Sequence, residues 1–464
     1  MITENELLNE QIKFSGMSDE EFLASEINAW KGSKERSMMI TSREYYKGNQ
    51  DILKRKRTAI GKDGYEEEVT NIPNNIVVDN RFARILDQKK NYILGKPITI
   101  RCNDDTYFTE INGLFGVSFQ KIMKIAGEES LIGGLSYLYI YIDEFERLKF
   151  KCFPAYEICP FWKDSAHTSL ECVARVYEVV KYEGKEKKNV TMVDLYRQTG
   201  VTYYEMDGDK LIQTGKEMPY VSVKGKEYNF NALPIIPIKA NSMEIPLLSR
   251  VKELQDALNL VLSDFVNNME ENVRNSIIVL KNYDGTDLGE FRKNLSSYGA
   301  IKTRTQEGAS GGVDVLRIEV NAENYKTVCD MLIRAITQNA RGFDSISEKN
   351  SSNPNQLNIR SMYSDIDLDA NDMESELQVA FEDILSFVNV YLALIKSYDA
   401  TGKTAEIIFN RDILINETEA IENCVRSMGI LSGETIVAQH PWISDVQSEL
   451  NNLKQMSLNV SNTQ

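Results

Sequence analysis

Three stretches of the 464-residue chain have residue types and spacings that could do chemistry. Gly402-Lys403-Thr404 matches the end of a phosphate-binding loop, where backbone amides cradle phosphates and the lysine reaches the terminal one. The earlier glycine is missing, with Ser397 in its place, and a helical pattern precedes the triplet while a strand pattern follows it. Both departures speak against a nucleotide site. Asp365-x-Asp367-x-Asp369, followed by Glu376, puts acids where a calcium-binding EF-hand loop needs them. Ala370 stands where that loop turns on glycine, and Ile366 and Leu368 suit an amphipathic helix, so the segment reads as a solvated acidic helix face. Lys54-Arg55-Lys56-Arg57 could meet phosphate, but a solvated turn ahead of the acidic loop 61–68 accounts for it better. His167 and His440 are isolated, and Cys102, Cys152, Cys159, Cys172, Cys329 and Cys424 form no C-x-x-C pair. No zinc spacing exists, and no nucleophile or paired-carboxylate constellation can be assembled. The expectation is a protein of binding and assembly, not an enzyme, with no catalytic residue, metal or cofactor and with reduced, mostly buried thiols.

The balance of residues narrows the class further. A chain that is 42% apolar and 26% charged has the composition of a folded protein with several cores. Acidic residues outnumber basic ones by 69 to 53, a net charge of -16, which disfavours coating a duplex through bulk charge. The amino terminus, Met1-Ile2-Thr3-Glu4-Asn5-Glu6, lacks the features of a secretory leader, and no unbroken apolar run approaches a membrane span. An intracellular protein with no membrane partner is expected.

The elements that must position any site follow from periodicity. Helical patterns cover Asp19 to Trp30, Asn75 to Leu94 and Phe119 to Leu131, the second closed by Gly95-Lys96-Pro97. Strand patterns cover Pro97 to Cys102, Leu135 to Asp143, Leu148 to Phe153, Leu170 to Tyr182, Val190 to Gln198 and Val201 to Met206. They form an antiparallel block whose tyrosines, Tyr137, Tyr139 and Tyr141 among them, are expected on its outer face.

The chain is organised around residues 245–396. Apolar residues recur at helical spacing from Ile245 to Met269 and again from Tyr325 to Ile336. Between them, 272–320 reads as a small α/β knob with strands Ser276 to Leu280, Ala300 to Thr303 and Val313 to Val320 and a helix Asp287 to Leu295. Leaving on one long helix and returning on another sets the knob on a two-helix stalk, ~40 Å long outward and ~30 Å back. Ser345 to Gln356 is then too polar to bury itself. From Ser361 to Ile395 a third helix carries eight acids and no base, with Leu377, Phe381, Ile384, Leu385, Val388, Leu392 and Ile395 as its core stripe. A strand at Glu406 to Phe409, a helix at Glu417 to Met428, a capped helix start at Ser432 and a helix from Ser444 to Met456 complete the chain.

Tyr45-Tyr46-Lys47-Gly48 with Asp51-Ile52-Leu53, then Asn80-Arg81-Phe82 running to Tyr92-Ile93-Leu94-Gly95-Lys96-Pro97-Ile98, stand ahead of the turn Tyr283-Asp284-Gly285-Thr286-Asp287. Phe409-Asn410-Arg411-Asp412 leads on to Leu431-Ser432-Gly433-Glu434-Thr435 and Pro441-Trp442. In this order the stretches resemble the portal proteins of tailed bacteriophages, in particular the group common among phages of Gram-positive bacteria. The resemblance implies an α+β portal fold with a β-rich wing (1–242 and 361–410), a two-helix stem (243–271 and 322–343), a small α/β clip (272–321), a tunnel loop (344–360) and a short helical crown (411–464). It also implies a ring, usually a dodecamer, at one capsid vertex of the virion, assembled in the host cytoplasm, through which double-stranded DNA is packaged and ejected.

By the same resemblance Ser345, Ser347, Glu348, Lys349, Asn350, Ser351, Asn353, Asn355 and Gln356 would meet DNA weakly from the tunnel loop. Glu253, Asp256 and Asp264 would line the bore. Asp287, Glu290, Arg292 and Lys293 of the clip would contact the terminase large subunit, although a solvated helix face explains them equally well. Further implied partners are the major capsid and scaffolding proteins and a head-completion adaptor. An acidic bore lets a duplex slide, whereas a basic one would bind it and release counterions. The alternative, a non-portal adaptor or scaffold protein of the virion, needs neither a knob on a stalk nor a polar loop after it.

Overall fold

The structure, a computed structural model, describes residues 16–60, 64–70, 72–223, 225–230, 232–274, 277–281, 312–316, 321–343, 356–411 and 417–443, and five single positions before 454. The chain opens with α1 (Asp19–Lys31), α2 (Lys34–Tyr46), the short hairpin β1 (Thr58–Ile60) and β2 (Glu66–Glu68), α3 (Arg81–Leu94), β3 (Thr99–Arg101), α4 (Asp105–Asn112) and α5 (Val117–Gly133). The antiparallel block is β4 (Leu135–Ile142), β5 (Leu148–Pro154), β6 (Ile158–Trp162), β7 (Leu170–Glu183), β8 (Glu186–Arg197), β9 (Gly200–Asp207), β10 (Lys210–Gln213), β11 (Val221–Val223), β12 (Lys226–Tyr228) and β13 (Ile235–Lys239). Then come α6 (Lys252–Arg274), β14 (Ile277–Lys281), β15 (Gly312–Leu316), α7 (Ala322–Asn339), α8 (Gln356–Tyr391), β16 (Glu406–Ile408), α9 (Glu417–Arg426) and α10 (Gly433–Gln439). Two compact units result: residues 1–47, 82–251 and 337–464, and residues 48–81 with 252–336.

In the first unit β13-β4-β5 and β10-β9-β8-β7-β6 form two antiparallel sheets. The tyrosines expected outside are buried or half-buried. Tyr137 is 1% exposed, and Tyr139 packs on Phe153 and Tyr196 at 5.6 and 5.2 Å. The guanidinium of Arg175 lies 4.4 Å over Phe153 and 4.2 Å over Tyr177 and bonds Glu157 at 2.9 Å. A ring with a polar tip can be buried wherever a second layer covers its strand, so alternation gives the face but not its solvent exposure. On the opposite face of β4, Leu138 and Ile140 are fully buried, and α5 packs on β4 and β5.

The core stripe of α8 is as the sequence indicates: Leu377, Ile384, Val388 and Leu392 are fully buried, Phe381 is 1% exposed, and the helix packs on β13. Among the described residues, the stretch Tyr363–Lys396 is the one helical segment long and apolar enough to cross a membrane by length and composition alone. A search for an unbroken apolar run passes over it because acids interrupt it. Its apolar side forms the core of this unit.

Lys403 of the phosphate-loop-like triplet is paired with Asp104. Asp104 in turn caps α4 by accepting from the amides of Thr106 and Tyr107 at 3.1 and 3.0 Å. The six cysteines are free thiols, and burial pushes Cys152, Cys159 and Cys172 up to about 12.

The second unit departs most from expectation. The pattern from Asn75 to Leu94 predicts one helix, yet α3 begins only at Arg81, and the residues ahead of it carry no helix or strand. The cause is a ladder of polar side chains on α6. The amide of Asn75 donates to Asn267 Oδ1 at 2.6 Å, that of Val77 to Ser263 Oγ at 3.0 Å and that of Asp79 to Asn259 Oδ1 at 3.0 Å. Gln255 Nε2 donates to the Asp79 carbonyl at 2.7 Å. Four helical residues rise ~6 Å and two extended residues ~6.6 Å, so every fourth side chain meets every second amide. Gln255, Asn259, Ser263 and Asn267 are at most 1% exposed, buried with their hydrogen-bonding groups paired.

Helix α6 starts at Lys252, so residues 243–251 of the expected stem are irregular chain, with Glu244 left-handed, and the short 3-10 turn Leu247–Arg250. It returns through the antiparallel pair β14–β15 to α7, where Phe265 and Tyr325 pack at 5.0 Å and Asn268 bonds the Tyr325 hydroxyl at 2.8 Å. The basic run is consumed locally. Lys54 pairs with Asp51, Arg55 with Asp264 at 2.5 Å and Lys56 with Glu68, while Arg57 donates to the Pro73 carbonyl.

Asn259→Ala strips the Asp79 amide of its acceptor inside this ladder. The variant is expected to lose about 1–3 kcal/mol, read as a lower urea midpoint at unchanged slope. A midpoint equal to the parent's would mean that the extended segment is not held by α6.

Candidate functional site at the root of the polar loop

The polar residues 344–355 lie outside the described residues, and with them Ser345 to Asn355 of the candidate site. Gln356 is the first residue of α8, so the expected loop 344–360 ends at 355. Asp287, Glu290, Arg292 and Lys293 also lie outside, as do the expected helix Asp287 to Leu295, the strand Ala300 to Thr303 and most of Ser444 to Met456. Of the expected bore acids, Asp256 pairs with Lys252 at 2.7 Å and Asp264 with Arg55, so both are neutralised within the chain. Glu253 is exposed.

What the structure gives is the two ends of the loop, both fixed on one face of α3. Helix α7 ends at Asn339, and a turn follows in which Arg341 is left-handed at a φ of 49°, ahead of Gly342 and Phe343. Gln88 holds Phe343 twice, donating from Nε2 to its carbonyl at 2.7 Å and accepting from its amide at 3.2 Å. A Cβ on Gly342 would come within 2.9 Å of Ile85 Cγ2, so the close approach of the chain to α3 requires glycine here. The Phe343 ring stacks on Tyr363 of α8 at 4.9 Å, and Tyr363 stacks on Tyr92 of α3 at 5.6 Å. Outgoing and returning chains are thereby clamped together.

Charge completes the clamp. Asp369 accepts Lys89 at 2.6 Å and Arg250 at 2.8 Å on Oδ2, and Arg341 at 2.7 Å on Oδ1. Earlier on the same helix, Asp367 accepts the Tyr92 hydroxyl and Arg411, each at 2.6 Å, and Arg411 also reaches Asn371 and Glu374. The segment read as a solvated acidic face is so only in part: Asp365 and Asp372 are exposed, whereas Asp367, Asp369 and Glu374 are ion-paired. The cations on it also argue against a calcium loop, and among the described residues no group of three metal-ligating side chains occurs. Burial, opposed by Asp369, pulls the Lys89 ammonium below its ordinary value. Burial alone would raise the Asp369 carboxyl, but Lys89, Arg250 and Arg341 outweigh it and hold the group low.

Sequence reading missed Gln88, Lys89, Tyr92, Arg250 and Arg341, which come from three separate stretches. One signal was available: a helical stretch with eight acids and no base needs its cations from elsewhere.

A family model described as "Phage portal protein, SPP1 Gp6-like" matches residues 30–461. The chain belongs to this phage portal family. Two portal proteins are similar along most of their length. That of Clostridium phage phiCD119 is 25% identical over 89% of this chain and 91% of its own, and that of Bacillus phage SPP1 is 26% identical over 88% and 81%. The neck of a native GTA particle superposes over 77% of this chain and 87% of its own at TM-score 0.40 and 11% identity, a likeness too loose to carry weight. Arg411, which the portal resemblance singled out in Phe409-Asn410-Arg411-Asp412, here neutralises α8, while Asn410 bonds the Pro97 carbonyl at 2.7 Å.

Asp369→Asn leaves Lys89, 3% exposed, without its carboxylate. The variant is expected to lose about 3–5 kcal/mol in urea unfolding, and adding Lys89→Met should recover part of it. Because the native carboxyl is depressed, its contribution is complete above the ordinary carboxylate value and is lost as the pH falls through the lower native one. Stability measured below pH ~4 should therefore decline less steeply in Asp369→Asn than in the parent.

Proposed function

We propose that the chain is the portal subunit of a tailed bacteriophage, assembling with copies of itself into a ring, expected to be a dodecamer, at one capsid vertex. Double-stranded DNA passes through the ring during packaging and ejection. The observation that carries this reading is the family match over residues 30–461. The role is structural: the packaging motor is a separate terminase, and the chain itself performs no catalysis.

Within the ring, the first unit would be the wing with the crown at its carboxy-terminal end, and α6 and α7 the stem. The segment 272–321 would be the clip and dock the terminase large subunit. Residues 344–355 would be the tunnel loop, meeting DNA through Lys349 and neighbouring asparagine and serine groups. Head-completion, major capsid and scaffolding proteins are the remaining partners, and the assembled ring belongs to the virion after assembly in the host cytoplasm.

Exposed Leu260, Val266 and Met269 on α6 and Val328 and Met331 on α7 give stem helices apolar area for neighbouring copies. A net charge of -16 per chain supports a bore that a duplex traverses without adhering. In a narrow channel, charges stay within about one ~8 Å Debye length of the DNA. With Asp256 and Asp264 neutralised, Glu253 is the one of the three stem acids still suited to that role.

Negative-stain images of the purified protein should contain rings with a central hole. Replacing residues 347–355 by a Gly-Ser linker is expected to leave those rings intact while lowering the DNA packaged per head. A chain that stays monomeric would overturn the portal reading, and rings absent only in the linker variant would overturn the assignment of the loop.

A further inference from the structure

Three cations share the Asp369 carboxylate unequally. Lys89 and Arg250 hold Oδ2 with side chains 3% and 33% exposed, whereas Arg341 alone holds Oδ1 and is 45% exposed. Breaking a buried ion pair is costly when it leaves a charge without a partner. Arg341 is an exception. If it lets go, Asp369 keeps two cations and the half-exposed guanidinium is solvated at once. Arg341 is also the last charged side chain described ahead of residues 344–355, in a left-handed conformation in the turn that follows α7.

The charges around it fix the direction from which a ligand can come. Asp372 lines the cleft beside Lys89 and Arg250 and turns an anion away on that side. Arg411 pairs with both Asp367 and Glu374 and offsets one of their two charges. A guanidinium offers a planar fork of donors that fits the paired oxygens of a phosphodiester, a geometry an ammonium lacks.

We propose that Arg341 is a duplex-DNA contact at the root of the loop, exchanging its bond to Asp369 for a backbone phosphate as DNA passes. The inference rests on the portal reading, which places the loop in the channel. It assigns Asp369 the role of a resting partner that keeps the guanidinium aimed and partly neutralised. The phosphate is then taken up and released without a standing basic ring in an otherwise acidic bore.

The test uses purified wild-type and Arg341→Gln rings with a short linear duplex and a closed circular duplex, followed by anisotropy across a salt series. Arg341→Gln should weaken linear-duplex binding at low salt by about three- to tenfold and flatten the salt slope by about one for each phosphate that is no longer neutralised. Arg341→Lys should retain part of the affinity. In wild-type rings, linear duplex should protect Arg341 from phenylglyoxal, mapped by peptide mass. An unchanged affinity and slope in Arg341→Gln, or an equal weakening on the circle, overturns the proposal. If Arg341→Gln rings do not assemble, the phenylglyoxal footprint on wild-type rings decides, absence of protection counting against it. Failure of the wild-type chain to form rings would instead sink the portal reading itself.

Discussion

A helix with eight carboxylates and no base after its first turns cannot pack unless other elements bring positive charge to it. That constraint organises the first unit. Helix α8 buries one side in the core, and cations reach Asp367, Asp369 and Glu374 on its flank from α3, from the turn ahead of α6, from the chain just after α7 and from the chain after β16. Each of these is a different stretch of sequence. The acids therefore work as a docking face that gathers four chain segments, and Asp369, bonded to three of them, is where removing one carboxylate would be felt most widely.

The second unit meets the same requirement with neutral groups. An extended segment has amides and carbonyls that need partners, and α6 supplies them from side chains at every fourth position. Asn and Ser in a helix interior are ordinarily a poor choice, since they compete for backbone bonds. Here they are completely buried because the bonds they make belong to another segment.

The consequence for function is that the polar loop begins and ends at fixed points. Paired stacking through Phe343, Tyr363 and Tyr92, the double bond to Gln88 and the shared carboxylate set where the chain leaves α7 and where it re-enters α8. Both flanks, Phe343 and Tyr363, are thereby tied to α3 and the core of the first unit by stacking and ion pairs.

Much of this was legible in the residues. The apolar stripe of α8, the strands of the antiparallel block and the long helices α6 and α7 follow from periodicity, because burial on one side imprints a repeat that survives in any sequence that folds this way. Ordered short motifs, spread from about residue 40 to 455, sufficed for the family. Sequence could not give the partners of polar groups. Asn75 to Asn80 looks helical until α6 takes its amides, Asp367, Asp369 and Glu374 of α8 look solvated until Lys89, Arg250, Arg341 and Arg411 reach them, and Tyr139 of β4 looks exposed until Phe153 and Tyr196 pack on it. In each case the deciding neighbour lies outside the element it completes. Apolar burial is a property of one element and is written in its own spacing, whereas hydrogen bonds and ion pairs are properties of two elements and exist only once the tertiary structure has brought them together.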